Sequence, residues 1–139
     1  MIVDSPFTRF PVVFVRLKGK NGSVTECRAL IDPVSDYCVI PRPDAFRLGY
    51  HEAAHDDPIT MPPNLVTMNS SVGFSQGMLI RMQEAALGDY KVENVDFVVF
   101  DLPAMAGYDV ILGRSFLSAS KCRLELDYYT HSLRLSRSS

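Results

Sequence analysis

Two runs rich in β-branched residues, 12–17 and 23–31, flank a five-residue segment, 18–22, that ends in Asn21-Gly22. An Asn-Gly pair between β-rich runs favours a tight chain reversal, so the two runs are expected to form a hairpin. Strand signals recur along the rest of the chain. Val39-Ile40 ends a further short strand before Pro41-Arg42-Pro43, and residues 43–48 read as a two-turn helix with Pro43 at its start and Gly49 behind it. A polar, proline-bearing loop covers 51–63. Residues 65–68 and 78–82 read as strands flanking 69–77, whose Ser and Gly content predicts a mobile hairpin. Residues 92–100 form a largely apolar and therefore central strand, and 107–117 hold a strand, a glycine turn and a short helical stretch. Residues 123–127 and 133–135 alternate as a closing hairpin. The expectation is a mainly β chain with one or two short helices.

Composition limits what such a chain can do. A length of 139 residues, 47% hydrophobic and 22% charged, suits one globular domain over 1–139 with a buried core. A formal net charge of -2 supplies no basic field for phosphates, which sets nucleic-acid binding aside. No window approaches the roughly 18 apolar residues of a membrane span, and Met1 to Pro6 lacks the basic and apolar regions of a secretory signal. A cytoplasmic chain without membrane partners is expected. Cys27, Cys38 and Cys122 are odd in number and lack C-x-x-C spacing, so they read as reduced, mostly buried thiols.

Several local motifs compete for a function. His51-Glu52-Ala53-Ala54-His55 spells H-E-x-x-H, which on a helix sets two imidazoles one turn apart for zinc. Gly49 upstream, Pro58 downstream and Asp56-Asp57 at the negative end oppose that helix, and only His131 or a carboxylate could add a third ligand. A solvated loop is the better reading, and no metal is expected. The glycines between Gly107 and Gly113 follow no phosphate-binding spacing. Met61, Met68, Met78 and Met82 could line a pliable groove, though core filling is the commoner use. Ser35 and Ser115 have no histidine and carboxylate arranged to activate them.

Two segments together carry a resemblance. Ala29-Leu30-Ile31-Asp32-Pro33-Val34-Ser35-Asp36 is followed, some 75 residues later, by Tyr108-Asp109-Val110-Ile111-Leu112-Gly113-Arg114. The first resembles the active-site strand and loop of retropepsin-like aspartic proteases, and Ile111, Leu112, Gly113 and Arg114 resemble the family's second signature. The resemblance covers about residues 10 to 136 and implies a closed β-barrel with a flap hairpin at about 65–82. It implies a homodimer in which Asp32 of each chain meets at the two-fold axis, with a peptide or protein as substrate and no cofactor. Ser35 and Asp36, with Ser75 and Gly77 of the flap, are the substrate-binding residues it implies.

The chemistry explains the dimer. Hydrolysing an amide with carboxylates alone takes two of them sharing one proton, one acting as base and the other as hydrogen-bond donor. Each chain supplies one. The pattern departs from the family at Pro33 and Val34, where Thr or Ser and then Gly are usual. Proline offers neither the hydroxyl nor the N–H that would bond across the axis, and β-branched Val34 adds bulk where glycine lets the backbone approach. Two functions follow: an aspartic endopeptidase, or a catalytically inactive dimerisation or peptide-binding module on the same fold.

Overall fold

A computed structural model describes residues 2–6, 11–51, 65–70, 73–102 and 107–137. The predicted hairpin is present as β2 (Val12–Lys18) and β3 (Val24–Ile31), antiparallel from Val12 opposite Leu30 to Lys18 opposite Val24. Gly22 takes the turn's positive φ of 85°, and the Asn21 side chain accepts a hydrogen bond from the Ser23 N–H at 2.9 Å. Along β2 the alternation is clean: Val13, Val15 and Leu17 are buried while Phe14 and Arg16 face out.

The other strands of this sheet are β4 (Cys38–Ile40), β5 (Leu65–Ser70), β6 (Gly73–Leu87), β7 (Tyr90–Val99) and β8 (Val110–Leu112). They pair in the order β2-β3-β8-β4-β7-β6-β5, and β6 also pairs with β2. That last contact joins Arg16 to Ala86 and Lys18 to Glu84, so six strands close into a barrel and β5 hangs from β6 outside the ring. The predicted central strand is confirmed, since β7 lies between β4 and β6.

The longest hairpin carries a backbone kink at Asn94. Asn94 has a positive φ of 56°, and the β6–β7 ladder lapses between the Met82–Val95 and Glu84–Glu93 pairs. The buried positions of β6 change phase there, from Ile80 and Met82 to Ala85 and Leu87. Beyond that point β6 pairs with β2, Glu84 to Ala86 opposite Lys18 to Arg16. β6 runs five residues past the end of the 78–82 strand expected from sequence.

Two short helices cover the barrel, α1 (Arg42–Arg47) and α2 (Arg114–Ser120). The first lies one residue earlier than the predicted 43–48. The second buries Phe116 completely and packs mainly on β7. A separate three-stranded sheet has the order β1-β10-β9, from β1 (Ile2–Pro6), β9 (Cys122–Asp127) and β10 (Ser132–Arg137). Leu133 and Leu135 of β10 are fully buried and belong to the barrel's hydrophobic core. This is the expected closing hairpin with a further strand added by β1. Among the described residues no helix is long and apolar enough to cross a membrane.

Candidate active site

The candidate site begins where β3 ends. The Asp32 N–H donates to the Leu112 carbonyl at 3.0 Å, which carries the parallel β3–β8 pairing one residue beyond Ile31. The chain then turns sharply, and Asp32 organises the turn. Its Oδ1 accepts the Val34 N–H at 3.1 Å and its Oδ2 accepts the Ser35 hydroxyl at 2.7 Å. Its carbonyl accepts the Ser35 N–H at 3.2 Å. Ser35 is fully buried and Asp32 is only 5% exposed, whereas Pro33 and Val34 form the exposed apex between them. A side chain carrying a donor on each oxygen is fixed in orientation by its own turn. Val34 thus donates its N–H to the carboxylate while its side chain stands exposed at the apex.

The second signature crosses this turn. Ile111 and Leu112 are buried in β8, and Gly113 follows at the point of tightest approach. A Cβ on Gly113 would collide with the Tyr37 carbonyl and lie 2.7 Å from that of Ser35, so only glycine fits. The Arg114 N–H donates to the Ser35 carbonyl at 2.9 Å, and its guanidinium pairs with the Asp36 carboxylate. Thus Asp32, Ser35, Asp36, Gly113 and Arg114 meet in one place although 77 to 82 residues of chain separate the two groups.

Asp36 has a further partner that sequence did not suggest. The Asn69 N–H of β5 donates to Asp36 Oδ2 at 3.0 Å, and the Asp36 N–H donates to the Asn69 carbonyl at 3.0 Å. The Asn69 N–H and then Arg114 hold the Asp36 carboxyl below its ordinary value, against a smaller opposing effect of burial. Nothing in the pattern around Asn69 marks it, because both of these bonds run through its main chain, and its side chain adds only a weaker hydrogen bond of the same sense.

The remaining candidates stand elsewhere or serve the framework. Ser75 pairs with Met68 and Gly77 with Val66 in the β5–β6 hairpin. A Cβ on Gly77 would collide with the Val99 carbonyl and the Val98 side chain. Ser115 accepts the Cys38 N–H at 3.0 Å and donates to the Asp96 carbonyl at 2.8 Å, tying α2 to β4 and β7. Burial pushes the Cys38 thiol up to about 11 and the Cys27 thiol up to about 12. All three cysteines are free, Cys38 buried and the others half-buried.

His51 is exposed and stacks edge-on to Phe46 with ring centroids 5.1 Å apart, while the rest of the H-E-x-x-H segment lies outside the described residues. Among the described residues no group of three or more His, Cys, Asp or Glu is placed to hold a metal ion.

The comparisons with known proteins bear on this geometry. No curated protein matches the sequence. In structure the chain is similar to a retropepsin-like aspartic protease from Rickettsia conorii. The TM-score is 0.64 at 14% identity, covering 97% of this chain and 90% of that one, a likeness of fold. A family model described as aspartyl protease matches residues 13–116, which run from β2 into α2. The matched stretch takes in both the Asp32 turn and the Gly113–Arg114 crossing that locks it, and the chain belongs to the aspartyl protease family.

Proposed function

We propose that this chain is an aspartic endopeptidase that acts as a homodimer, with Asp32 of each chain at the axis. The observation that carries the reading is the Asp32 carboxylate, oriented by Val34 and Ser35 at the end of a buried strand. Two such groups brought together share one proton and titrate as a unit. The ionised partner takes a proton from water as the water oxygen attacks the scissile carbonyl carbon. The protonated partner donates to the carbonyl oxygen. Collapse of the tetrahedral adduct breaks the C–N bond, with a carboxyl proton passing to the leaving amine. Asp36 would then hold the substrate main chain beside the reacting bond. The hairpin at 65–82, including Ser75 and Gly77, would act as the flap that excludes water.

The test is incubation with a diverse peptide mixture from about pH 3.5 to 7, where a shared proton is available, beside an Asp32→Asn control. Cleavage by the parent is expected, with a loss of at least about 10³-fold in the control. Cleavage that persists in the control removes the dyad.

A second reading is favoured by one feature. Pro33 has no hydroxyl and no N–H with which to bond across an axis, and Val34 is 58% exposed beside it. A peptide-binding or dimerisation module without catalysis fits those two residues. Peptide binding with no cleavage supports it, and activity gained by a Pro33→Thr, Val34→Gly double variant would place the defect there.

A further inference from the structure

Beside the Asp32 turn the sheet carries a second apolar cluster, distinct from the barrel core. Leu30, Ile111, Val39 and Val98 form a continuous row across four neighbouring strands. Leu30 is opposite Ile111, Ile111 opposite Val39, and Val39 opposite Val98. The row begins two residues before Asp32. It is covered by Met68 of β5, which is 2% exposed. Yet β5 is hydrogen-bonded to none of these four strands, since its ladder runs only to β6.

The next residue shows what holds β5 there. Both main-chain groups of Asn69 bond to Asp36, so both leave the strand on the edge away from β6. An extended segment thus presents its main chain to Asp36 and the adjacent apolar side chain to the row. Those are the two contacts an extended peptide would make in a groove beside Asp32.

We propose that residues 66–69 of β5 occupy the peptide groove as a built-in pseudosubstrate. An incoming peptide must displace them, and the favoured one carries an unbranched apolar residue of methionine's size at the Met68 position. The groove is then available only in the fraction of molecules whose β5 has lifted, and apparent affinity falls by that fraction. The inference rests on the reading of the Asp32 face as a peptide groove and does not require cleavage.

The probe is the acetylated, amidated peptide Leu-Val-Thr-Met-Asn-Ser, the chain's own 65–70, with its Met-to-Ala analogue. Binding is measured by calorimetry in an Asp32→Asn background, alone and with Met68→Ala or Asn69→Pro. Proline at 69 removes only an N–H that faces away from β6, so the hairpin ladder survives and this variant serves if Met68→Ala fails to fold. Each folded variant is expected to bind the Met peptide about tenfold or more tighter than its background, with little gain for the analogue. Exchange of the Asp36 amide hydrogen is expected to quicken about tenfold in Asn69→Pro. Equal affinities in folded variants, or an unchanged Asp36 amide, overturn the proposal. Cleavage is scored separately with Asp32 intact. A chain that never cleaves but shows the affinity shift loses the peptidase reading and keeps the pseudosubstrate, and cleavage without the shift does the reverse.

Discussion

Asp32 and Ser35 form the smallest unit of the site, and the unit is tightly packed. Ser35→Ala takes the hydroxyl from Asp32 Oδ2 inside a fully buried pocket and is expected to cost about 1–3 kcal/mol, read from urea unfolding. Gly113→Ala forces a methyl group into the Tyr37 and Ser35 carbonyls, and a loss of about 3 kcal/mol or more is expected in the same measurement. Asp36 makes an acid-sensitive contribution. Its folded value is depressed, so its pairing stabilises the fold above the unfolded carboxyl range, about pH 4, and that gain is lost as pH falls through the folded value. Asp36→Asn should therefore flatten the acid side of a stability profile taken from about pH 3 to 6. The cysteines behave oppositely. With folded values raised, Cys27 and Cys38 stay protonated, and both should resist iodoacetamide at about pH 8 until the chain is unfolded.

At the scale of elements, the β2–β6 pairing closes the barrel, and β6 reaches it past the kink opposite Asn94. Asn94 tolerates the left-handed backbone that the kink needs, as asparagine does better than any β-branched residue. Asn94→Val is expected to cost about 1–2 kcal/mol while Asn94→Gly stays within about 0.5 kcal/mol of the parent, read as shifts in the urea midpoint. The same kink hid the full length of β6 from the sequence. Alternation holds through Ile80 and Met82 and then reverses at Ala85, which a period-two reading takes for the end of a strand. The β2–β3 hairpin had no such break, and its Asn-Gly turn made it legible at once. Residues 2–6 lack any pattern of their own, and they become a strand because β10 offers them an edge from Ile2 opposite Ser136 to Pro6 opposite Ser132.

The whole molecule joins two motifs that are far apart in sequence, and the proposed activity would join two molecules in turn. Under that proposal Pro33 and Val34 sit at the axis and apolar contact stands in for a hydroxyl bond. Val34→Asp, which sets two like charges there, is expected to weaken self-association by at least about tenfold. Sedimentation over a range of concentrations reads this, and unchanged association would place the axis elsewhere. Within one chain, Leu17 is fully buried on the strand that receives the end of β6. Leu17→Ala is expected to cost about 3–4 kcal/mol in urea unfolding and to loosen that closure first.

The Asp32 and Gly113–Arg114 motifs were legible only as a pair, through their joint resemblance to one family, since either run alone is too short to mark a site. An acidic side chain ends a buried strand, and a glycine stands where only glycine can pass. The β class, the β2–β3, β5–β6 and β9–β10 hairpins and the two helices were readable on local grounds. Met68 and Asn69 were not, because their roles come from lying against segments distant in the chain and, for Asn69, mainly from main-chain groups that every residue shares. Sequence alone therefore determined most of the elements, though not β1 or the far end of β6, and marked the acidic turn. Only tertiary structure decided what lies beside that turn, since contact of β5 with Asp36 and the apolar row depends on how distant segments pack and not on the residues taken one stretch at a time.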